Sequence, residues 1–297
     1  MDAQKETETA FPFSLADEVF QLLKERDLQC VRYCDLDYKN SRLGSRFRYV
    51  DEFVRATEGR FTPFKTLLCL FRLVAIRKGE GRKAMEPLLR FLCRNRPRPI
   101  AILQHDADMF PDRTLDMMEK EKKHGLVSSS YFFRDHADPV PYELDLQRMK
   151  GLEADGFEMG YHQNAYERSG YELSQALKLV EEDAAFFREH FNLRSFVPHG
   201  GTPGPKGINN NSLPQRDSLK PLLWAYNGKC ILKHYTWSDG AMKKRAPSDP
   251  REFVKNLRPG TRAMFLMHPQ YYGHRLRHDW RDLPISSHAW WRKLWNL

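Results

Sequence analysis

Arg96-Pro-Arg-Pro99-Ile-Ala-Ile-Leu-Gln-His-Asp-Ala-Asp108-Met-Phe-Pro111 decides how the chain is read. Two prolines block helix continuation and force extended backbone, so the apolar run from Ile100 starts as a strand. The strand ends in polar residues, Gln104 to Asp108, and Pro111 then opens a helix at the position where proline is best tolerated. Side chains alternate along a strand, which puts Asp106 and Asp108 on one face and His105 on the other.

Further along, short apolar runs recur at Val127 to Phe133, Phe157 to His162, Ser195 to His199, Cys230 to His234 and Arg262 to His268. Amphipathic helical stretches separate them, the signature of repeated βα units around a parallel sheet or barrel. A helix over Pro111 to His124 is closed by Gly125, and Tyr171 to His190 carries the longest helical pattern. Asp249-Pro-Arg-Glu252 matches a capping box with proline at the first helical position. Gly200 to Asp217, rich in Gly, Pro and Asn, reads as a long loop.

In parallel α/β folds chemistry lies at the carboxyl ends of strands. Those ends here carry Asp106 and Asp108, His162, His199, His234 and His268. Two carboxylates ringed by imidazoles suggest a metal: hydrolysis needs neutral imidazoles and a carboxylate as ligands, an open position for water, and a second carboxylate free to take a proton. The competing bland readings are a capping aspartate pair before Pro111 and satisfied core histidines at strand ends. Capping accounts for one aspartate and not for two on one face. His105 reads as structural, Asp35-Leu-Asp37 as a solvated turn, and Cys30 with Cys34 as lacking the spacing of a zinc site.

Four segments, in this order and spacing, resemble the polysaccharide deacetylases of the NodB-homology type, carbohydrate esterase family 4, in their divergent His-Asp-x-Asp subgroup. They are His105-Asp-Ala-Asp108 with Pro111, Gly125 with Ser130-Tyr-Phe-Phe133, Phe157-Glu-Met-Gly-Tyr-His162, and Phe265-Leu-Met-His-Pro269. The resemblance covers about residues 99 to 270. It implies an α/β fold of the irregular (β/α)7 barrel type over 99–280; the residues before it read as a mainly helical basic N-terminal extension over 1–98, and those after it as an amphipathic tail over 281–297. It also implies Asp106 as general base, Asp108 and His162 as ligands of a divalent metal, zinc first, and His268 as the acid that protonates the leaving amine. Substrate contacts are expected at Tyr131, Tyr166, His234 and Gly200. The commoner family pattern sets two aspartates side by side and a second ligand histidine four residues after the first. Here Ala107 separates the carboxylates and Tyr166 holds the later position. His199 therefore has two open uses, third metal ligand or substrate contact.

The implied activity is removal of an N-acetyl group from a sugar. An amide hydrolase of the same fold acting on a small non-sugar compound, with or without metal, and a catalytically inactive binding module are the alternatives. The chain has 297 residues with 41% hydrophobic and 29% charged, a composition that excludes a disordered or disulfide-stapled class. Five scattered cysteines and a polar acidic start without a signal pattern predict a cytoplasmic protein, at most peripheral at the inner face of the membrane. A net charge of +9 favours an anionic partner, such as a nucleotide- or lipid-linked precursor of a surface polysaccharide. The basic stretch Arg72 to Arg98 lies beside apolar residues, which suits an anionic membrane better than nucleic acid, for which no module is present; a solvated helix face is its plain reading.

Overall fold

The computed structural model describes residues 11–35, 99–200, 203–214, 219, 222–224, 235–239, 249–257 and 262–273. Strand β1 (Phe11–Pro12), helix α1 (Phe13–Glu25) and strand β2 (Gln29–Val31) come first, followed by a 3-10 turn over Tyr33–Asp35. In α1 the apolar residues Phe13, Leu15, Ala16, Val19, Phe20 and Leu23 recur at helical spacing, and all are buried.

The strand starts where the prolines place it: β3 spans Ile100–Ala107 and is buried along its whole length. Helix α2 (Pro111–Lys123) starts with Pro111 at its first turn, after Phe110 in the left-handed region, and stops at His124 before Gly125 with φ 72°. That positive φ is where glycine costs least. There follow β4 (Ser129–Phe132), α3 (Leu146–Ala154), β5 (Glu158–Gln163), α4 (Ala165–Arg168), α5 (Leu173–His190) and β6 (Ser195–Pro198). The last elements are β7 (Leu223–Trp224), β8 (Tyr235–Ser238), α6 (Pro250–Lys255), β9 (Arg262–Met267) and β10 (Tyr272–Gly273). Asp249 caps α6 by accepting from the Arg251 N–H, with Pro250 in the first turn. The expected loop after Gly200 contains two 3-10 turns, Pro205–Gly207 and Asn210–Ser212.

The strands form an α/β sheet in the order β7-β6-β5-β4-β3-β9-β8, with β2 beside the first half of β3. Every pairing in it is parallel. No pairing among the described residues joins β7 to β8. Both faces are covered, as a parallel sheet requires. One outer cluster packs α1 and α6 on β3 and β9, and a second packs α3 and α5 on β4, β5 and β6. A small inner cluster joins Tyr33, Ile102, Tyr131, Val197, Met264 and Leu266. Val197 on β6 and Met264 on β9 belong to one cluster although β5, β4 and β3 stand between their strands, so the inner face is strongly curled.

One expectation changes and others fall outside the described residues. The strand placed at Cys230 to His234 lies outside the described residues; the strand seen in that region is β8, Tyr235–Ser238. Residues 1–98 are not wholly an extension, because β2 hydrogen-bonds to β3 in register Gln29 with Ile100, and α1 is part of the core. The basic stretch Arg72 to Arg98 and the 281–297 tail lie outside the described residues. No helix among the described residues is long and apolar enough to cross a membrane.

Candidate metal centre

The carboxyl ends of β3, β5, β6 and β9 converge on Asp108. His162 Nε2 lies 3.0 Å from Asp108 Oδ1, His199 Nε2 lies 3.8 Å from the same oxygen, and His268 Nε2 lies 3.8 Å from Oδ2. One ligand atom each from Asp108, His162 and His199 falls within 4.8 Å of the others. Asp106 is buried two residues before Asp108, and its carboxylate acts on both His199 and His268. The side chains grade from a buried floor, His162 at 1% exposure, to an open rim, His199 at 25%.

Each imidazole is oriented from behind. His162 Nδ1 lies 2.9 Å from the Val197 carbonyl, which can only accept, so Nδ1 carries the proton. Nε2 faces the Asp108 carboxylate at 3.0 Å, a gap that takes a proton or, in its place, a cation. Phe133 stacks on the His162 ring with centroids 4.7 Å apart and planes at 7°, and meets His199 edge-on. His199 Nδ1 is 2.7 Å from Glu167 Oε2, and His268 Nδ1 is 2.6 Å from Asp239 Oδ1. A carboxylate or carbonyl behind each imidazole, with Nε2 turned to a common carboxylate, is the outer-shell pattern of a metal site. The donor set, two imidazoles and a carboxylate with room at the rim, fits a divalent cation that keeps an open position.

Charge is strongly coupled here. Burial pushes the Asp108 carboxyl up, but His199, His162 and His268 outweigh it and hold the group well below the usual carboxylate range. Burial lowers the His268 imidazole, but Asp239 at hydrogen-bond distance, then Asp108, raise it to about 9. His199 is likewise raised, against its own burial, by Asp108 and Glu167.

The remaining expected residues divide. Tyr131 is fully buried with its hydroxyl 2.9 Å from Ser195 Oγ, so it belongs to the interior and is not placed to touch a substrate. Tyr166 packs in the outer core beside Tyr171, which removes it from the mouth, while its neighbour Glu167 reaches His199. Gly200 is exposed beside His199 at the rim, and His234 lies outside the described residues. His105 faces the helices and pairs with Glu121 at 2.8 Å, in the structural role expected of it. Asp35 pairs with Arg32 in the 3-10 turn.

Glu167, Asn210 and Asp239 escaped the sequence reading. Asn210 donates to Glu167 Oε2 and accepts from the Tyr166 N–H, so the long loop holds the carboxylate behind His199. Its only signal was the Asn209-Asn-Asn211 run. Asp239 directly follows β8. Comparison of the chain with protein-family models, with curated proteins and with solved structures finds no match in any of the three.

Proposed function

We propose that the protein is a metal-dependent hydrolase that removes an N-acetyl group from a sugar, on an irregular (β/α)7-type barrel like that of the polysaccharide deacetylases. One observation carries this reading: histidines from separate strands turn Nε2 toward Asp108, each backed by an acceptor on Nδ1, with a second buried carboxylate, Asp106, alongside. Asp108, His162 and His199 would hold the cation, with zinc favoured by the imidazole-rich donor set. When bound, such an ion lowers the pKa of a coordinated water from 15.7 to about 7 and polarises a carbonyl.

The chain's own residues supply the proton traffic. Asp106, outside the ligand set, accepts a proton from the attacking water. His268 stays protonated near neutral pH because Asp239 backs it, and it delivers that proton to the departing amine. His199 serves as third ligand in this reading, since its Nε2 faces Asp108 and its Nδ1 is fixed by Glu167. The net charge of +9 suits a substrate bearing phosphate, such as a nucleotide- or lipid-linked sugar in the cytoplasm or at its membrane.

The test is acetate release from N-acetylglucosamine oligomers, UDP-N-acetylglucosamine and a non-sugar acetamide, with Zn2+ and after chelation. Acetate from a sugar substrate, abolished by chelator and restored by Zn2+, is expected. Release from the non-sugar acetamide alone would point to the small-molecule alternative. Turnover that survives Asp106→Asn would overturn the assignment of the base.

A further inference from the structure

Gln104 and Asp106 lie on one face of β3, just before Asp108, and Gln104 is completely buried. Its Nε2 donates to Asp106 Oδ1 at 2.8 Å. A carboxylate oxygen can only accept, so this bond fixes which way the amide is turned and presents Oε1 to the other side. There the Tyr33 hydroxyl donates to it at 2.8 Å. The phenol also touches the Met264 sulfur at 2.8 Å, but an amide oxygen is the stronger acceptor for its one proton. Among the described residues, Asp106 Oδ2 carries no hydrogen bond: one oxygen is pinned and the other is left for chemistry.

Tyr33 is itself firmly seated. Its N–H donates to Ser129 Oγ, the Cys34 N–H donates to Glu158 Oε2, and Arg32 Nη1 donates to the Gly156 carbonyl. Glu158, buried inside the curl, also accepts from Ser129 and Ser195. The segment from β2 through Tyr33 thus closes the floor of the sheet and holds a phenol beneath the site. It lies more than sixty residues before β3 in the chain, outside the stretch that resembles a deacetylase.

We propose that Tyr33 and Gln104 are positioning residues for the proton acceptor: Tyr33 orients the Gln104 amide, and Gln104 fixes the Asp106 carboxylate so that Oδ2 faces the mouth. The assignment rests on the reading of Asp106 as the base. A neutral amide donor holds the carboxylate without placing a cation against it, which leaves its full negative charge available to the water.

The experiment is a double-mutant cycle on the full chain loaded with Zn2+, with acetate release from N-acetylglucosamine oligomers as the assay. Gln104→Met, close in size and without a donor, is expected to lower kcat about 100-fold with KM little changed, and Tyr33→Phe about 10-fold. In the Gln104→Met background, Tyr33→Phe should cost nothing more, because the hydroxyl has no amide left to orient. A purely structural hydroxyl would cost the same in both backgrounds, and that result overturns the proposal. Zn2+ affinity measured by calorimetry should be unchanged in both variants; a parallel loss of metal would overturn it as well. An activity-independent readout is the Gln104 side-chain amide resonance, assigned by its disappearance in Gln104→Met. Tyr33→Phe and Asp106→Asn should each move it and speed its hydrogen exchange, and a resonance indifferent to both refutes the arrangement. If Asp106→Asn retains turnover, the base assignment fails; if Asp106→Asn is inactive while Tyr33→Phe and Gln104→Met match wild type, only the positioning role fails.

Discussion

Replacing Asp239 by Asn should convert His268 from a proton carrier into an ordinary or weaker base. Asp239 accepts twice from His268, from the main-chain N–H at 2.6 Å and from Nδ1 at 2.6 Å. An asparagine presents one oxygen and one NH2 group, so one of those two donors is left facing a donor. The negative charge that raises the imidazole also goes, while the burial that lowers it remains. A rise from 6.5 to about 9 corresponds to roughly 3 kcal/mol of preference for the charged form, shared between Asp239, first, and Asp108. The sign is that of a raised imidazole: this stability is fully present below pH 6.5 and is lost as pH climbs through about 9. In chelator-treated protein, the wild-type Tm should therefore decline between pH 6.5 and about 9, and the variant should lose most of that decline. The stabilisation below pH 6.5 should drop by up to about 5 to 10 °C in Tm. With Zn2+ present, the alkaline limb of kcat/KM should move to lower pH in Asp239→Asn, because the charge behind Nδ1 is gone. An alkaline limb and a Tm profile that are both the same in wild type and Asp239→Asn would refute the coupling.

Glu167→Gln keeps the shape behind His199 but removes the charge, and Zn2+ affinity by calorimetry should weaken about 10- to 100-fold. His162→Ala should remove tight Zn2+ binding altogether, since it takes away the most buried ligand, and a variant that still binds Zn2+ tightly would place the metal elsewhere. Gly160→Ala should destabilise the fold by about 1 to 3 kcal/mol in urea unfolding, because its Cβ would stand 2.3 Å from the Tyr131 ring in a packed interior. Chelation of Zn2+-loaded protein should lower Tm and Zn2+ should restore it, as expected for a ligand that binds only the folded chain.

The order of elements was legible because its signals are local. Pro97 and Pro99 suffice to stop a helix, Gly125 ends one, and Asp249 with Pro250 starts one, each through sterics within a few residues. Strand alternation likewise separates Asp106 from His105 to opposite faces, while Asp108 follows the last residue of the strand, Ala107. The candidate cluster was legible in part: polar residues at strand ends gather in parallel sheets, which brings Asp108, His162 and His199 together, though the sequence left His199 with two open uses.

Tertiary structure alone decided the partners. Glu167 reaches His199 and Asp239 reaches His268 from other elements, and no periodicity or spacing encodes a contact across 32 or 29 positions. Tyr131 and Tyr166 look equally available in the sequence, but the curl of the sheet turns one into the interior and the helix packing buries the other. Tyr33 enters the floor only because β2 pairs with β3. Local sterics and alternation fix what each segment is, whereas the direction in which a side chain finds its partner depends on how separate segments close on one another.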